Sequence, residues 1–265
     1  MQSDTHSDRM RSDPGRSQPA RPSLTFESVT KRFGAVLALD DVTFVAPAGA
    51  VTALVGPNGS GKTTLMRIAL GLARPSAGQA LVAGKPYRRL ERPLTRIGAL
   101  LDATALSPGL TGRAHLRSLA AAGGIPAARA DAVIEQVGLG AAARRRVGGW
   151  SLGMKQRLGL AVALLGDPPV LLLDEPMNGL DPEGMVWFRG LVRGLRDEGR
   201  AVLVSSHLMR ELEDIADRVV VINRGRIAAD AGIDALRADS PETGARPGLE
   251  DVYLRLIASD PAARS

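Results

Sequence analysis

Residues Gly56-Pro57-Asn58-Gly59-Ser60-Gly61-Lys62-Thr63-Thr64 space their glycines, lysine and hydroxyls in the pattern G-x-x-x-x-G-K-[ST]. Backbone curling at Gly56, Gly59 and Gly61 aims successive N–H groups at phosphate oxygens, and a helix beginning near Lys62 adds the positive end of its dipole. Lys62 would reach the β- and γ-phosphates of a nucleoside triphosphate, and the Thr63 hydroxyl would hold Mg²⁺. A charge-assisted bond of this kind contributes about 1.5–3 kcal/mol, so losing Lys62 should cost affinity. A Gly-rich turn can also merely join a strand to a helix. Here the apolar run Val51-Thr52-Ala53-Leu54-Val55 precedes it and an amphipathic stretch follows, the setting in which the pattern cradles phosphate.

A second group of chemical interest is Asp174-Glu175, which ends the apolar run Val170-Leu171-Leu172-Leu173. Open parallel sheets place ligands at the carboxyl edge, where these two acids would stand. Asp174 would hold Mg²⁺ directly or through its water. Glu175 would face the γ-phosphate and polarise water as general base, a role contributing roughly 10²–10⁴ in rate. Adjacent carboxylates are often only a solvated turn; behind a buried-type strand, in a chain with a phosphate loop, they read as a hydrolytic pair.

These groups need a scaffold, and 265 residues can bury one core with an inserted subdomain. Hydrophobic residues make up 45% of the chain and the mean hydropathy is +0.01, as in soluble globular proteins. The longest apolar stretch, Leu158 to Leu173, is interrupted by Gly166-Asp167-Pro168-Pro169 and falls short of the roughly 18–20 residues of a membrane span. With no cysteine there is no disulfide, thiolate metal site or thiol nucleophile. The start of the sequence lacks a signal-peptide apolar region, so secretion is not expected. A net charge of +6 and a pI near 10.4 could point to nucleic acid or anionic lipid. The arginines are scattered among 28 acids, however, only Arg144-Arg145-Arg146 forms a tight run, and aromatics are 3% of the chain. A solvated basic surface is expected, without direct nucleic-acid binding.

Along the chain, residues 1–22 are polar and aperiodic and are expected to form a disordered tail. Strands are predicted at Leu24–Val29 and Val42–Val45, with Lys31-Arg32-Phe33-Gly34 as a turn carrying an exposed ring. After the phosphate loop and its helix, Arg74-Pro75-Ser76-Ala77-Gly78 is read as the helix stop. From about 87 to 165 apolar residues recur at helical spacing between Gly and Pro breaks, which indicates a helical insertion. Strand signals return at Val170–Leu173, Ala201–Val204, Arg218–Asn223 and Ile227–Ala229. The predicted fold is therefore α/β: a mixed, mainly parallel sheet wrapped by helices, with antiparallel strands near the start. The main domain is expected over 23–240, followed by an extension over 241–265 with a short helix, Leu249 to Ala258.

Upstream of the acid pair stands Trp150-Ser151-Leu152-Gly153-Met154-Lys155-Gln156-Arg157. Taken with the phosphate loop, the LLLDEP run, Asn178-Gly179-Leu180-Asp181, and His207 after Val204-Ser205-Ser206, this turn resembles that of the ATP-binding subunits of ABC transporters. The likeness covers nearly everything from Leu24 to Ile227, and five such features in this order are specific. The resemblance implies a P-loop NTPase core. It also implies that the Ser151 turn, with Gly153, is a second anion site serving ATP on an opposing subunit, so that two copies, or this chain and a related subunit, close head to tail around two ATP molecules. By the same resemblance Asp181 crosses that seam, His207 contacts the γ-phosphate, and Phe33 stacks on adenine. Two departures stand out. The Gln usual after the strand leading into the insertion is replaced by Asp102, a carboxylate able to hold Mg²⁺ or water, and the signature carries Leu152 and Met154. Both features look like the subgroup whose partners export peptide antibiotics and other hydrophobic drugs.

The resemblance thus implies an ATPase at the cytoplasmic face of the membrane, attached through a separate permease that docks near Asp102 to His115. The alternative is a non-transport ATPase of the same superfamily acting on nucleic acid or a protein complex. The basic pI favours it slightly; the lack of long coiled-coil insertions or a second cassette opposes it.

Overall fold

The computed structural model describes residues 23–103, 105–207 and 209–238, with 248, 250, 251, 253 and 255. Strands β1 (Leu24–Phe33), β2 (Val36–Ala46) and β3 (Ala50–Val55) open the chain, and helix α1 (Lys62–Ala69) follows the phosphate loop. Next come β4 (Ala77–Val82), β5 (Ile97–Leu100), α2 (Gly112–Ala122), α3 (Ala127–Gln136) and α4 (Leu152–Leu164). The remaining elements are β6 (Val170–Leu173), α5 (Pro182–Asp197), β7 (Ala201–Ser206), α6 (Met209–Leu212), β8 (Arg218–Asn223), β9 (Arg226–Gly232) and α7 (Ile233–Ala238).

Six strands form one sheet in the order β5-β6-β7-β3-β8-β9, parallel except for β9. Its inner strands are continuous apolar runs because both faces are covered. Val51, Ala53, Val55, Leu171, Leu173, Val202 and Val204 belong to one core, which Leu158, Leu160, Phe188 and Val192 of α4 and α5 also fill. Leu54, Val170, Leu172 and Leu203, the alternate positions, belong to another. That second core is closed by Leu65 and Met66 of α1 and by Leu24, Phe26 and Phe44 of an antiparallel sheet ordered β2-β1-β4. Each such side chain contributes about 1.5–3 kcal/mol when fully buried, so the sheet is held from both sides.

The structure departs from the sequence reading at several points. Lys31, Arg32 and Phe33 continue β1, paired with Leu39, Leu37 and Val36 of β2, and the turn is confined to Gly34 and Ala35. Strand β4, which begins inside the segment read only as a helix stop, completes the antiparallel sheet by pairing with β1. The span read as a helical insertion, 87–165, takes in β5, the strand that the resemblance places before Asp102, which is an edge strand of the main sheet with Ile97 opposite Val170. The predicted tail 1–22 lies outside the described residues, as does most of the segment 240–248. Of the predicted terminal helix, positions 250, 251, 253 and 255 are described and are helical.

Candidate active site

Strand register assembles the site. Leu173 of β6 lies opposite Val204 of β7, so the residues that follow, Asp174 and Ser205, leave the carboxyl edge side by side. Val55 of β3 lies opposite Ser206, so the phosphate loop leaves the same edge. Asp174 N–H donates to the Leu100 carbonyl of β5 at 2.7 Å, bringing the end of that strand, and Asp102 beyond it, to the acid pair.

Within the loop, Gly61 has φ 111°, a left-handed conformation that favours glycine, and an added Cβ would stand 2.6 Å from Leu39 Cδ2. Pro57, Asn58 and Gly59 are exposed, Gly56 and Ser60 are buried, and Thr64 is half-buried. The buried Lys62 Nζ donates to the Gly56 and Pro57 carbonyls at 2.8 and 3.2 Å. Burial lowers the pKa of this ammonium, while the Glu175 and Asp174 carboxylates oppose the shift. Ser60 Oγ is buried without a hydrogen-bond partner. An orphan hydroxyl and a buried cation at the base of a curled loop fit a polyphosphate.

The carboxylates are tightly held. Thr63 Oγ1 donates to Asp174 Oδ2 at 2.6 Å, and Ser205 Oγ donates to Asp174 Oδ1. Glu175 has φ 47°, an unusual backbone for a non-glycine residue, and its N–H donates to Ser205 Oγ at 2.9 Å while Gln156 Nε2 donates to its carbonyl at 3.1 Å. His207 Nδ1 lies 2.9 Å from Glu175 Oε2, and Lys62 Nζ lies 4.0 Å from Glu175 Oε1. The glutamate is thus clamped at its backbone and aimed through both carboxylate oxygens. Asp102, Gln156, Asp174 and Glu175 share a recess of 250 Å³. Hydroxyl and carboxylate oxygens suit a hard cation. Among the described residues no group of three or more His, Cys, Asp or Glu could hold a metal ion by itself.

A separate recess of 310 Å³ is lined by Ser151, Gly153, Arg157, Gly179 and Asp181, among others, and by no residue of the phosphate loop. Ser151 is exposed; its Oγ accepts from Met154 N–H at 3.2 Å and caps α4. Asp181 caps α5 by accepting from Gly184 N–H at 2.7 Å. A Cβ at Gly153 would stand 2.9 Å from the Gly179 carbonyl oxygen, so the two turns touch through backbone. Phe33 is 52% exposed at the end of β1, with Lys31 Nζ 4.6 Å from its ring centroid. A larger recess, 510 Å³, lies between the end of α1, β4 and Tyr87 and holds none of the predicted residues, so chemistry rather than volume marks the site.

Sequence reasoning gave no role to Ser205 and Gln156, which hold Asp174 and Glu175, or to Glu211, whose Oε2 accepts from Ser206 Oγ at 3.2 Å. A serine directly after an apolar strand, at the edge that carries the acids, was the available signal for Ser205.

A sequence model of the ABC transporter family matches residues 39–178. The uncharacterized ABC transporter ATP-binding protein YdbJ of Bacillus subtilis (strain 168) is 41% identical, over 81% of this chain and 70% of the relative. The lantibiotic transport ATP-binding protein SrtF of Streptococcus pyogenes is 35% identical, over 80% of this chain and 91% of the relative. Among solved structures, the ATP-binding subunit of an ABC transporter superposes with a TM-score of 0.79 at 28% identity, covering 88% of this chain and 98% of the other.

Proposed function

The chain belongs to the ABC transporter family as an ATP-binding, ATP-hydrolysing subunit that works with a separate permease, and on that premise we propose that it powers export of peptide antibiotics, drugs or other hydrophobic compounds from the cytoplasmic face of a membrane. The lantibiotic transport relative supports the peptide class. Among the described residues no helix is long and apolar enough to cross a membrane. In the same reading the permease docks near Asp102 to His115, residues 23–240 form the ATP-binding domain with its helical subdomain, and 241–265 extend it.

The observation that carries the mechanism is the separation of two partial sites on one chain: Lys62, Thr63, Asp174, Glu175 and His207 at the sheet edge, and Ser151 with Asp181 around another recess. Each lacks what the other offers, so two subunits related by a two-fold axis complete two sites. The backbone of Gly56 to Thr64 cradles the phosphates and Lys62 holds the β- and γ-oxygens. Mg²⁺, held by Thr63 and Asp174 with Asp102 beside them, would neutralise charge on the phosphates. Glu175 accepts a proton from the attacking water as the bond between the γ-phosphorus and the β–γ bridging oxygen breaks, giving ADP and phosphate. His207 keeps the Glu175 carboxylate in place. The partner's Ser151 turn binds the γ-phosphate from the far side, Asp181 lies in the seam, and Phe33 stacks on adenine.

The decisive experiment is Glu175→Gln. It is expected to lower hydrolysis roughly 10²–10⁴-fold and to accumulate an ATP-bound dimer, read by light scattering during size-exclusion chromatography. A variant that remains at the 27.8 kDa monomer mass in saturating Mg-ATP would remove the two-subunit site.

A further inference from the structure

Arg144, Arg145 and Arg146 take no part in the chemistry described above. All three are exposed, and none has a side-chain hydrogen bond or ion pair to a described residue. The residues flanking them are stitched to one segment: Arg113 N–H donates to the Ala143 carbonyl, Val147 N–H to the Leu110 carbonyl, and Gly148 N–H to the Pro108 carbonyl, at 2.9, 2.9 and 3.0 Å. Thr111 and Arg146 form an antiparallel bridge. The arginines therefore share an edge with Leu110, one of the few large apolar side chains left exposed.

Residues 105–150 carry six arginines and two carboxylates, and Arg129 pairs with Asp167, outside that span, at 3.1 Å. One of the acids, Asp131, is shared by Arg113 and Arg117 at 3.1 and 2.6 Å. The other, Glu135, lies against Gly140. The triplet is left without an acid of its own.

We propose that Arg144, Arg145 and Arg146, beside the segment proposed to dock the permease, bind anionic phospholipid headgroups at the membrane surface. The inference rests on the reading that the chain works against a membrane through a permease. Guanidinium forks match phosphate oxygens. Three long side chains with no fixed internal geometry suit a plane of mobile headgroups better than a fixed carboxylate. The edge gives the subunit a second, weak hold on the bilayer, orienting the segment 102–115 toward it.

The test is co-sedimentation of the full chain with vesicles of phosphatidylglycerol and phosphatidylcholine in equal parts, against phosphatidylcholine alone. Wild type is expected to bind only the anionic vesicles, less so as salt rises. The triple variant Arg144→Gln, Arg145→Gln, Arg146→Gln should bind on the order of a hundredfold more weakly. A charge-matched control, Arg88→Gln, Arg89→Gln, Arg96→Gln, removes three other exposed arginines and should bind close to wild type. Equal losses in both triples would reduce the effect to net charge and overturn the inference. So would wild type ignoring anionic vesicles, including the case where the triplet is needed only to co-purify a permease, which would assign it to an acidic protein segment. Failure to bind vesicles with ATP hydrolysis intact removes the lipid edge alone. Vesicle binding by a chain that hydrolyses no ATP removes the transporter reading alone.

Discussion

The Lys62 ammonium, to which the proposed mechanism gives the phosphates, is buried at some expense to the fold. Burial lowers its pKa, and in the structure its donors go to the Gly56 and Pro57 carbonyls of its own loop. Lys62→Met is expected to weaken ATP binding by about 10- to 150-fold, from a charge-assisted bond of about 1.5–3 kcal/mol, while the nucleotide-free melting temperature does not fall. Titration calorimetry and thermal melts check the two halves. Glu211 behaves in the opposite sense from most surface acids. Burial raises its pKa, the Ser206 hydroxyl lowers it, nearby Glu175 raises it, and His207 and Arg189 lower it. A carboxyl raised in the folded state holds its proton there after the unfolded chain has lost it. Its contribution is therefore full at acid pH and is lost as pH rises from the ordinary glutamate range through the raised value. Glu211→Gln should flatten this part of the stability profile, above the ordinary glutamate range. A profile as steep as that of wild type would refute the assignment.

At the scale of elements, two helices begin on residues to which the proposed mechanism gives a second role. Asp181 caps α5 and Ser151 caps α4, so alanine at either position should cost about 1 kcal/mol of stability whatever happens to ATP hydrolysis. Asparagine caps as well as aspartate. Asp181→Asn should therefore melt like wild type, and a fall in its hydrolysis would belong to the subunit seam rather than to a frayed helix. Where the turns touch, Gly153→Ala would set a Cβ 2.9 Å from the Gly179 carbonyl oxygen. The expected cost is about 1–3 kcal/mol, measured by chemical denaturation, because backbone must shift to accept it. The sequence was legible at this scale where an apolar run was continuous, as in β3, β6 and β8. It was not legible in β4, where Ala77-Gly78-Gln79-Ala80-Leu81-Val82 lacks alternation and is a strand only because β1 offers it an edge.

For the whole molecule, a subunit whose ATP site is finished by a second copy should be stabilised by nucleotide in a concentration-dependent way. ATP at a hundred times its Kd should add about 2.7 kcal/mol to stability, and with Glu175→Gln the melting temperature should also rise with protein concentration. No dependence on protein concentration would argue for a site complete within one chain. The sequence by itself determined the phosphate loop, the acid pair and the succession of strands and helices, because these are local: fixed spacings, an apolar run, a cap. Only the tertiary structure decided that Ser205 grips Asp174, that Gln156 holds the Glu175 backbone, that β5 lies in the sheet, and that the arginine triplet shares an edge with Leu110. Those relations depend on strand register and on contacts between residues far apart in the chain, which no local pattern encodes.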